Sequence, residues 1–282
     1  MNIPSINDIN GKTVVITGGA GVLCSMFAEV LAECGAKIAI LDLDENKAAE
    51  VTDRIVGKGG RAISLKTNVL DKADIEASHN KILEEFGPCD ILINGAGGNS
   101  PRATTDDEFY DEAVFDAPDK KSFFDLDPEG VSFVFGLNFN GTLLPTQVFA
   151  RDMIGRNGVI LNVSSMNSFT PLTKIPAYSA AKAAISNFTQ WLATYFSKCG
   201  IRVNAIAPGF FATAQNEMLL FNQDGTLTAR SDKILRNTPM GRFGVPEDLI
   251  GTLLYLLSND FSSFVTGVVV PVDGGFAAYS GV

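Results

Sequence analysis

The sequence predicts a single α/β domain, in which a parallel sheet of seven strands is covered by helices on both faces. Short apolar runs alternate with longer segments of helical periodicity along the whole chain, and this alternation is typical of a doubly wound sheet. A length of 282 residues with 46% hydrophobic residues suits one domain with a large core. No repeat or low-complexity linker divides the chain, so we assign residues 1–282 to one domain.

Strands are assigned to the short apolar runs, and helices to the periodic segments between them. The predicted strands are residues 12–17, 37–41, 61–65, 91–94, 159–163, 202–206 and 268–272. The predicted helices are residues 22–34, 45–56, 72–86, 131–153, 177–198 and 246–257.

Two long connections interrupt this order. Residues 98–130 form an acidic, aromatic insertion, and residues 213–244 separate the sixth strand from the helix that follows. Long connections in a compact domain usually bind substrate or close over it. A contact between subunits is the alternative for both.

Composition excludes several classes of protein. The formal net charge of −10 argues against binding to nucleic acids or anionic membranes, because phosphate contacts need clustered lysine and arginine. No apolar run approaches the ~20 residues that span a bilayer, and no secretory signal is visible. We therefore expect a cytoplasmic protein.

The cysteines and the single histidine also limit the chemistry. Four cysteines lack paired spacing, which favours free thiols in a reducing compartment. His79 lies far from any cysteine, so no metal site is expected. A Ser-His-Asp hydrolase would depend on His79 alone, and no Gly-x-Ser-x-Gly motif is present.

A glycine-rich turn follows the first predicted strand and opens the first helix. Glycine at positions such as Gly18 and Gly21 lets the chain turn tightly and lets a pyrophosphate approach the backbone. The helix begins near Val22 and Leu23, where free N–H groups and the helix dipole favour an anion. Because strand-to-helix turns often need glycine anyway, the turn alone is weak evidence for a dinucleotide site.

Asp42, at the end of the second strand, strengthens this interpretation. It lies about twenty residues beyond the glycines, where a carboxylate accepts hydrogen bonds from the adenosine ribose and repels a 2′-phosphate. A role as the cap of the next helix suits Asp44 better. The sequence therefore favours NAD, as NAD⁺ or NADH, over NADP.

The third and fourth strands end in further candidate cofactor residues. Ligands of open α/β sheets bind beyond the carboxyl ends of the strands, near the point where strand order reverses. The residues placed there are Asn68, Val69, Asn94, Gly95, Ala96 and Gly97.

Tyr178 and Lys182 lie four residues apart, and Ser165 lies thirteen residues before the tyrosine. A tyrosine has a pKa of about 10, and an ammonium one helical turn away favours its phenolate. The trio could therefore polarise a carbonyl and give it a proton. Taken alone, the Tyr-x-x-x-Lys pair is better explained as a chance pair on a solvated helix face, because so short a pattern recurs often.

Together these features resemble the short-chain dehydrogenase/reductase family over nearly the whole sequence. The motifs that carry the resemblance are Thr-Gly-x-x-Gly, the acidic residue after the second strand, Asn-x-Ala-Gly, Asn138-Phe-Asn-Gly141, Asn162-Val-Ser-Ser165, Tyr178-x-x-x-Lys182, Pro208-Gly209 with Thr213, and Val272-Asp273-Gly274-Gly275. The sequence differs from the family at Val22 and Cys24, where glycine is usual, at Gly95, where asparagine is usual, and at Asn68, where aspartate is common. These departures put direct pyrophosphate contact at positions 22 and 24 in doubt.

The resemblance implies a Rossmann fold and hydride transfer between a nicotinamide and a secondary alcohol or ketone. Tyr178 would transfer the proton, Lys182 would lower the pKa of the tyrosine and hold the nicotinamide ribose, and Ser165 would hydrogen-bond the reacting oxygen. Asn138 would hold a water that connects Lys182 to solvent. The nicotinamide carboxamide would be held after the sixth strand, by Pro208, Gly209, Phe211 and Thr213.

Within the family, the loops are most similar to those of the D-mannonate oxidoreductase (fructuronate reductase) group of short-chain type, which implies a sugar-acid substrate. A sugar acid needs a cation for its carboxylate, and Lys174 and Arg102 are the candidates; exposed loop charges are the alternative for both. The residues expected to line the substrate site are Asn99, Arg102, Met166, Asn167, Lys174 and Gln215.

Two other functions stay open. One is a polyol, gluconate or keto-acid dehydrogenase with the same machinery, and the other is a non-catalytic NAD-binding regulatory protein. The family resemblance also implies a homotetramer, although a monomer core explains much of the same apolar pattern.

Overall fold

The computed structural model describes residues 6–112, 120–213 and 217–281. Its centre is a seven-stranded parallel sheet with the strand order β3-β2-β1-β4-β5-β6-β7. The strands are β1 (Thr13–Thr17), β2 (Lys37–Asp42), β3 (Arg61–Lys66), β4 (Ile91–Asn94), β5 (Val159–Val163), β6 (Arg202–Pro208) and β7 (Val269–Val272). The predicted fold class is confirmed.

Helices connect successive strands and cover both faces of the sheet. They are α1 (Val22–Glu33), α2 (Glu45–Gly57), α3 (Lys72–Phe86), α4 (Pro128–Phe135), α5 (Gly141–Met153), α6 (Pro176–Phe196), α7 (Glu217–Leu220), α8 (Ala229–Arg236), α9 (Ile250–Leu257) and α10 (Asn259–Ser262). The prediction of one helix over residues 131–153 was wrong: the segment begins earlier and is interrupted by a π-helical turn at Gly136–Asn140. The short helices α7, α8 and α10 were not predicted.

The order of the strands shows where a ligand site is expected in this sheet. From β1 the chain builds β2 and β3 on one side and then returns to β4 on the other. Strand order therefore reverses between β1 and β4, where Thr17 pairs with Asn94 at the carboxyl ends. Ligands of open α/β sheets bind outside such a point.

The sheet is buried on both faces, as strand alternation requires. Ile16 and Ile40 point toward Phe27 of α1 in one cluster, whereas Val15 and Leu92 point toward α3 and α5 in the other. These two clusters hold the helices at fixed positions beside the carboxyl ends of the strands.

A buried series of hydrogen bonds joins the two central strands to the helices that flank them. Asn94 Nδ2 donates to Thr146 Oγ1 at 3.0 Å and to Asn162 Oδ1 at 2.9 Å. Asn162 Nδ2 in turn donates to Thr189 Oγ1 at 2.9 Å. Because a buried amide that loses its partner costs about 1–3 kcal/mol by typical measurements, this network fixes α5 and α6 against β4 and β5.

The insertion after β4 folds against the approach to α6. Thr105 N donates to Lys174 O at 2.9 Å, and Asp127 N donates to Arg102 O at 3.1 Å. A Cβ at Gly130 would lie 2.6 Å from Arg102 Cβ, so a glycine is needed where α4 crosses this segment. The insertion is thereby fixed beside the helix that carries Tyr178.

The described part of the protein is informative about membrane spans, metal ligands and disulfides. No helix there is long and apolar enough to cross a membrane. In residues 6–112, 120–213 and 217–281, no three His, Cys, Asp or Glu residues are arranged to hold a metal ion. The four cysteines are free thiols.

Candidate active site

The three predicted catalytic side chains lie together at the carboxyl end of β5 and the start of α6. Tyr178 and Lys182 are one turn apart on α6, so both leave the same face of the helix. Lys182 Nζ lies 5.6 Å from the centroid of the Tyr178 ring, and the Ser165 hydroxyl is hydrogen-bonded to the Tyr178 phenol. The structure therefore brings the trio together.

Burial sets the protonation of this trio. It raises the pKa of Tyr178, and the hydrogen bond from Ser165 opposes that rise. Burial lowers the pKa of Lys182 to about 8, and Lys182 Nζ donates to Val163 O at 2.9 Å. The expected lowering of the tyrosine pKa by Lys182 is not seen, because burial is the largest influence and the opposing one is Ser165, not Lys182. Tyr178 is consequently a neutral phenol that keeps its proton at neutral pH.

Gly97, Asn138 and Lys182 meet at one packed junction. A Cβ at Gly97 would lie 2.7 Å from Asn138 Oδ1 and 3.2 Å from Lys182 Nζ, which is closer than a real side chain tolerates. Glycine at this position is therefore what allows the amide and the ammonium to approach the loop after β4.

Asn138 holds that loop to the interrupted helix. Its Nδ2 donates to Val134 O at 2.8 Å and to Gly98 O at 2.7 Å, while its Oδ1 accepts from Gly98 N at 3.3 Å. The bond to Val134 joins the π-helical turn to the end of α4, and such turns are frequent at functional sites. The Asn138 carbonyl accepts from Thr142 Oγ1 at 2.9 Å. The predicted water link to Lys182 stays a prediction.

The glycine-rich turn after β1 forms one wall of a cleft. Gly18 has a φ of +61°, and a Cβ there would lie 2.8 Å from Ala96, so this turn and the loop after β4 are in contact. Gly21 begins α1 without a side-chain cap. The N–H groups of Val22 and Leu23 are thus positioned for an anion such as a pyrophosphate.

Asp42 is held at the edge of the same cleft. Its Oδ2 accepts from Ala20 N at 3.0 Å, and its Oδ1 accepts from Asp44 N at 3.0 Å. Asp44 is the residue that caps α2, through its bond with Lys47 N. Each Asp42 oxygen keeps a second lone pair for a ribose hydroxyl. The cleft residues therefore fit an adenosine dinucleotide.

The predicted adenine contacts lie on the next strand end. Asn68 is exposed, and its Oδ1 accepts from Leu70 N at 3.0 Å. This bond leaves the Asn68 amide N–H groups for the edge of a base. Val69 is buried and would lie 3.2 Å from a Cβ at Gly141.

Two of the sequence departures compensate each other. A Cβ at Gly95 would lie 2.2 Å from Cys24 Sγ and 2.8 Å from Thr17 O, so Cys24 fills the space that a side chain at position 95 would take. Burial raises the pKa of Cys24 to about 12, which makes it a neutral space-filling thiol. The loss of an asparagine at 95 and of a glycine at 24 is therefore one coupled change.

The segment after β6, which the sequence predicts to hold the nicotinamide carboxamide, is closely packed against the end of β7. A Cβ at Gly209 would lie 2.6 Å from Asp273 Cα, and Gly209 N donates to Val272 O at 2.9 Å, which extends the pairing of Pro208 with Val272. Phe211 is buried and bridges to Gly244. Thr213 is the last described residue before 214–216, and Gln215 lies outside the described residues.

The predicted substrate residues that the structure describes lie in different environments. Met166 and Asn167 are buried in a 3₁₀ turn directly after Ser165, whereas Asn99 is exposed. Arg102 forms ion pairs with Asp127 and Glu129. Its guanidinium is thus already engaged by carboxylates.

Lys174 has a different environment. It is exposed, and its backbone has a φ of +71°, a left-handed conformation that costs roughly 1 kcal/mol for a side-chain-bearing residue. In the described part of the protein, no carboxylate forms an ion pair with its ammonium.

Sequence reasoning missed two tertiary contacts, one at the site and one between the two long connections. Thr17 Oγ1 accepts from Gly95 N at 3.1 Å and from Ala96 N at 3.3 Å, a tether that its place before the glycines could have indicated. Glu108 of the insertion forms an ion pair with Lys233 of α8. These two residues lie 125 positions apart, and no local signal marks them.

The fold and this site define the class of protein. A family model described as enoyl-(acyl carrier protein) reductase matches residues 22–277. The chain belongs to the short-chain dehydrogenase/reductase family and is an oxidoreductase of that family.

Two related proteins and one crystal structure show which members of the family this chain resembles. The chain is 59% identical to an uncharacterized oxidoreductase of Haemophilus influenzae, over 100% of this chain and 99% of the relative. It is 34% identical to a 2-dehydro-3-deoxy-D-gluconate 5-dehydrogenase of Dickeya dadantii, over 96% and 97%. A crystal structure with bound NAD, described as a proposed D-mannonate oxidoreductase from Haemophilus, superposes with a TM-score of 0.94 at 59% identity, over 98% of both chains.

The coupling of Cys24 with Gly95 gives a first prediction. Gly95→Ala should lower the free energy of unfolding by about 2–4 kcal/mol, because the new methyl group overlaps Cys24 Sγ. Adding Cys24→Ala should recover about 1–2 kcal/mol, and the contact with Thr17 O should keep the recovery incomplete. Urea unfolding of the single and double variants measures this coupling.

Cys34→Ala combined with Gly95→Ala is the matched control and should be additive. If the changes in the free energy of unfolding also add in the Cys24→Ala, Gly95→Ala double variant, positions 24 and 95 are independent.

Proposed function

We propose that this protein is an NAD-dependent oxidoreductase that interconverts D-fructuronate and D-mannonate. The observation that carries the proposal is the Ser165–Tyr178–Lys182 arrangement beside a cleft whose residues fit an adenosine dinucleotide. The relatives supply the substrate class, since one is a sugar-acid dehydrogenase and one NAD-bound structure is a proposed D-mannonate oxidoreductase.

Tyr178, Ser165 and Lys182 have different roles in the proposed reduction of the ketone. A nicotinamide dinucleotide held in the cleft supplies the hydride in one direction and accepts it in the other. Tyr178, a neutral phenol, donates its proton to the oxygen that becomes the alcohol. The Ser165 hydroxyl donates a hydrogen bond to that oxygen as charge develops on it. Lys182 stabilises the phenolate that remains.

The choice of NAD rests on Asp42. Its carboxylate is fixed by two backbone N–H groups, and a 2′-phosphate would bring a second negative charge against it. Leu43 and Asp44 follow directly in place of an arginine. Both features favour an unphosphorylated ribose.

A second candidate function is a 5-dehydrogenase of another gluconate-type acid. The relative from Dickeya dadantii favours it, and a panel of keto acids with NADH separates it from the leading candidate. A regulatory NAD-binding protein is less well supported, because such a protein has no need for Ser165, Tyr178 and Lys182 in contact.

We propose that the protein assembles as a homotetramer through the exposed faces of α5 and α6. Phe188, Trp191 and Tyr195 form a stack on α6, with ring centroids 6.1 and 4.8 Å apart, and Trp191 is 55% exposed. An aromatic ladder of this exposure favours a protein contact. A cytoplasmic location and a partner list without nucleic acids or membranes belong to the same proposal, which the four free thiols and the net charge of −10 support.

The catalytic proposal is tested with fructuronate and NADH. The wild-type protein should oxidise NADH, and Tyr178→Phe should lower kcat by roughly 10³-fold, because the proton donor in contact with Ser165 is removed. Tyr195→Phe, on the exposed face of α6, is the matched control and should leave the rate unchanged. Circular dichroism and thermal melting confirm that both variants fold; full turnover by Tyr178→Phe would exclude the mechanism.

The cofactor proposal is tested at Asp42. Asp42→Ser should weaken NADH binding and raise the NADPH/NADH ratio of kcat/KM by about tenfold or more, because the repelling carboxylate is gone. Asp44→Ser is the control. It changes the residue two positions after Asp42, serine can still cap α2, and the NADPH/NADH ratio should not change. An unaltered preference in Asp42→Ser would place the ribose elsewhere.

A further inference from the structure

The carboxamide of Asn167 is buried two residues after Ser165. Asn167 is 5% exposed, and it is the middle residue of the 3₁₀ turn Met166–Ser168, which Ser165 caps. Its Oδ1 has no hydrogen-bond partner among the residues that the structure describes. A buried amide oxygen without a donor is unfavourable, so such an atom in a native protein needs a reason.

Two other buried side-chain atoms in the described residues lack a partner, Asn94 Oδ1 and Ser179 Oγ. The Asn94 amide already donates twice within the network between β4, β5 and α5. Ser179 follows Tyr178 on α6, and consecutive residues of a helix point in different directions. Asn167 is the residue of the three that is bonded to Ser165 itself.

Short distances relate Asn167 to the reacting groups. Its backbone N–H donates to Ser165 Oγ at 3.3 Å, and the Ser165 hydroxyl is hydrogen-bonded to the Tyr178 phenol. Only four covalent bonds separate Asn167 N from Asn167 Oδ1. The distance from Ser165 Oγ to Asn167 Oδ1 is therefore at most about 8 Å.

A substrate with a hydroxyl beside its reacting carbon spans this distance. A hydrogen bond from Ser165 to the reacting oxygen is about 2.8 Å long. The oxygen on the next carbon lies about 3 Å further on in a staggered conformer, and a second hydrogen bond adds about 2.8 Å. Such a hydroxyl can reach the Asn167 carboxamide while Ser165 holds the reacting oxygen.

The backbone of the turn is fixed, whereas nothing holds the carboxamide oxygen. Ser168 N donates to Ser165 O at 2.9 Å, and Thr170 N donates to Met166 O at 3.1 Å. The turn packs against α6, β6 and the C-terminal 3₁₀ turn Phe276–Ala278. The last torsion of an asparagine side chain is broad, so the carboxamide can turn its oxygen toward the cleft while the backbone keeps its place.

We propose that Asn167 is a specificity-determining residue, whose carboxamide oxygen accepts a hydrogen bond from the substrate hydroxyl on a carbon next to the reacting carbon. The inference rests on the proposed function, which makes the substrate a polyhydroxy acid. A reacting ketone oxygen has no proton to give, so the donor is a neighbouring hydroxyl. In mannonate, which would react at C5, both C4 and C6 carry one.

An acidic substrate explains why this acceptor is an amide. The amide of Asn167 accepts a hydroxyl proton without adding a negative charge. An aspartate of the same size would place a buried carboxylate near a substrate that carries its own. A ketone without the neighbouring hydroxyl leaves Oδ1 unpartnered in the complex too, and a site built for a hydroxyl discriminates against such a ligand.

The test compares D-mannonate with 4-deoxy- and 6-deoxy-D-mannonate by calorimetry on the protein saturated with NADH, where no turnover occurs. The wild type should bind one of the two deoxy acids about 10- to 50-fold more weakly than mannonate, because Oδ1 then stays without a donor. Asn167→Leu removes the oxygen at similar side-chain size. It should bind that deoxy acid and mannonate within about threefold of each other.

Asn167→Ala removes the same oxygen without a branched side chain and should lose the same preference. Ser168→Ala is the matched control, because it removes the bond from Ser168 Oγ to Ser165 O at 2.8 Å in the same turn but keeps the carboxamide. This control should retain the wild-type preference for mannonate over the deoxy acid, whatever its affinity for both. Thermal melting confirms that the three variants fold.

The inference is overturned if both Asn167 variants keep the full preference, as they would if Oδ1 held only a water molecule. It is also overturned if the wild type binds all three acids equally, or if Ser168→Ala loses the preference as Asn167→Leu does. Its failure is distinguishable from that of the proposed function. A protein that shows the coupled loss of preference but does not reduce fructuronate would retain the hydroxyl contact and lose only the proposed reaction.

Discussion

The site depends on keeping the ammonium of Lys182 inside the protein. Lys182 is 4% exposed, it donates to Val163 O at 2.9 Å, and burial lowers its pKa to about 8. A buried ammonium is unfavourable unless it is held by hydrogen bonds. In the mechanism that we propose, this cost is offset because the charge lies beside Tyr178, where it would stabilise the phenolate that proton donation leaves. Stability would then be given up at the position where the proposed reaction needs a cation.

The rest of the architecture keeps this group in place. Gly97 lacks the Cβ that would meet both Asn138 and Lys182, and Asn138 ties the loop after β4 to the π-helical turn. The hydrogen-bonded series from Asn94 through Asn162 fixes the two flanking helices beneath them. The same region combines Cys24 with Gly95 without overlap. The Cys24 thiol fills the volume that a side chain at position 95 would need.

The strands of the sheet could be predicted from the sequence, because runs of apolar residues indicate buried segments directly. Each predicted strand coincides with an observed one to within two residues, since a parallel strand buried on both faces is a continuous apolar run. Asp127 before Pro128 and Glu129 is a helix start that the sequence does contain, so α4 was predictable. The π-helical turn has no local signal in the sequence, and its residue Asn138 is hydrogen-bonded to Gly98, forty residues away. The Glu108–Lys233 pair shows the same limit, since tertiary structure alone brings two loops together.

The most direct test of the central claim is the stability of Lys182→Met. The folded pKa of about 8 lies below the ordinary lysine value of 10.5, so the cost of the buried charge is full below pH 8 and fades as pH rises toward 10.5. Lys182→Met should therefore be on the order of 2 kcal/mol more stable than the wild type in urea unfolding at pH 7, with a smaller gain at pH 9.5 and no turnover. Lys81→Met, at an exposed lysine, should change neither the free energy of unfolding nor turnover. A Lys182→Met protein that is less stable at pH 7, or whose gain is independent of pH, would contradict the account.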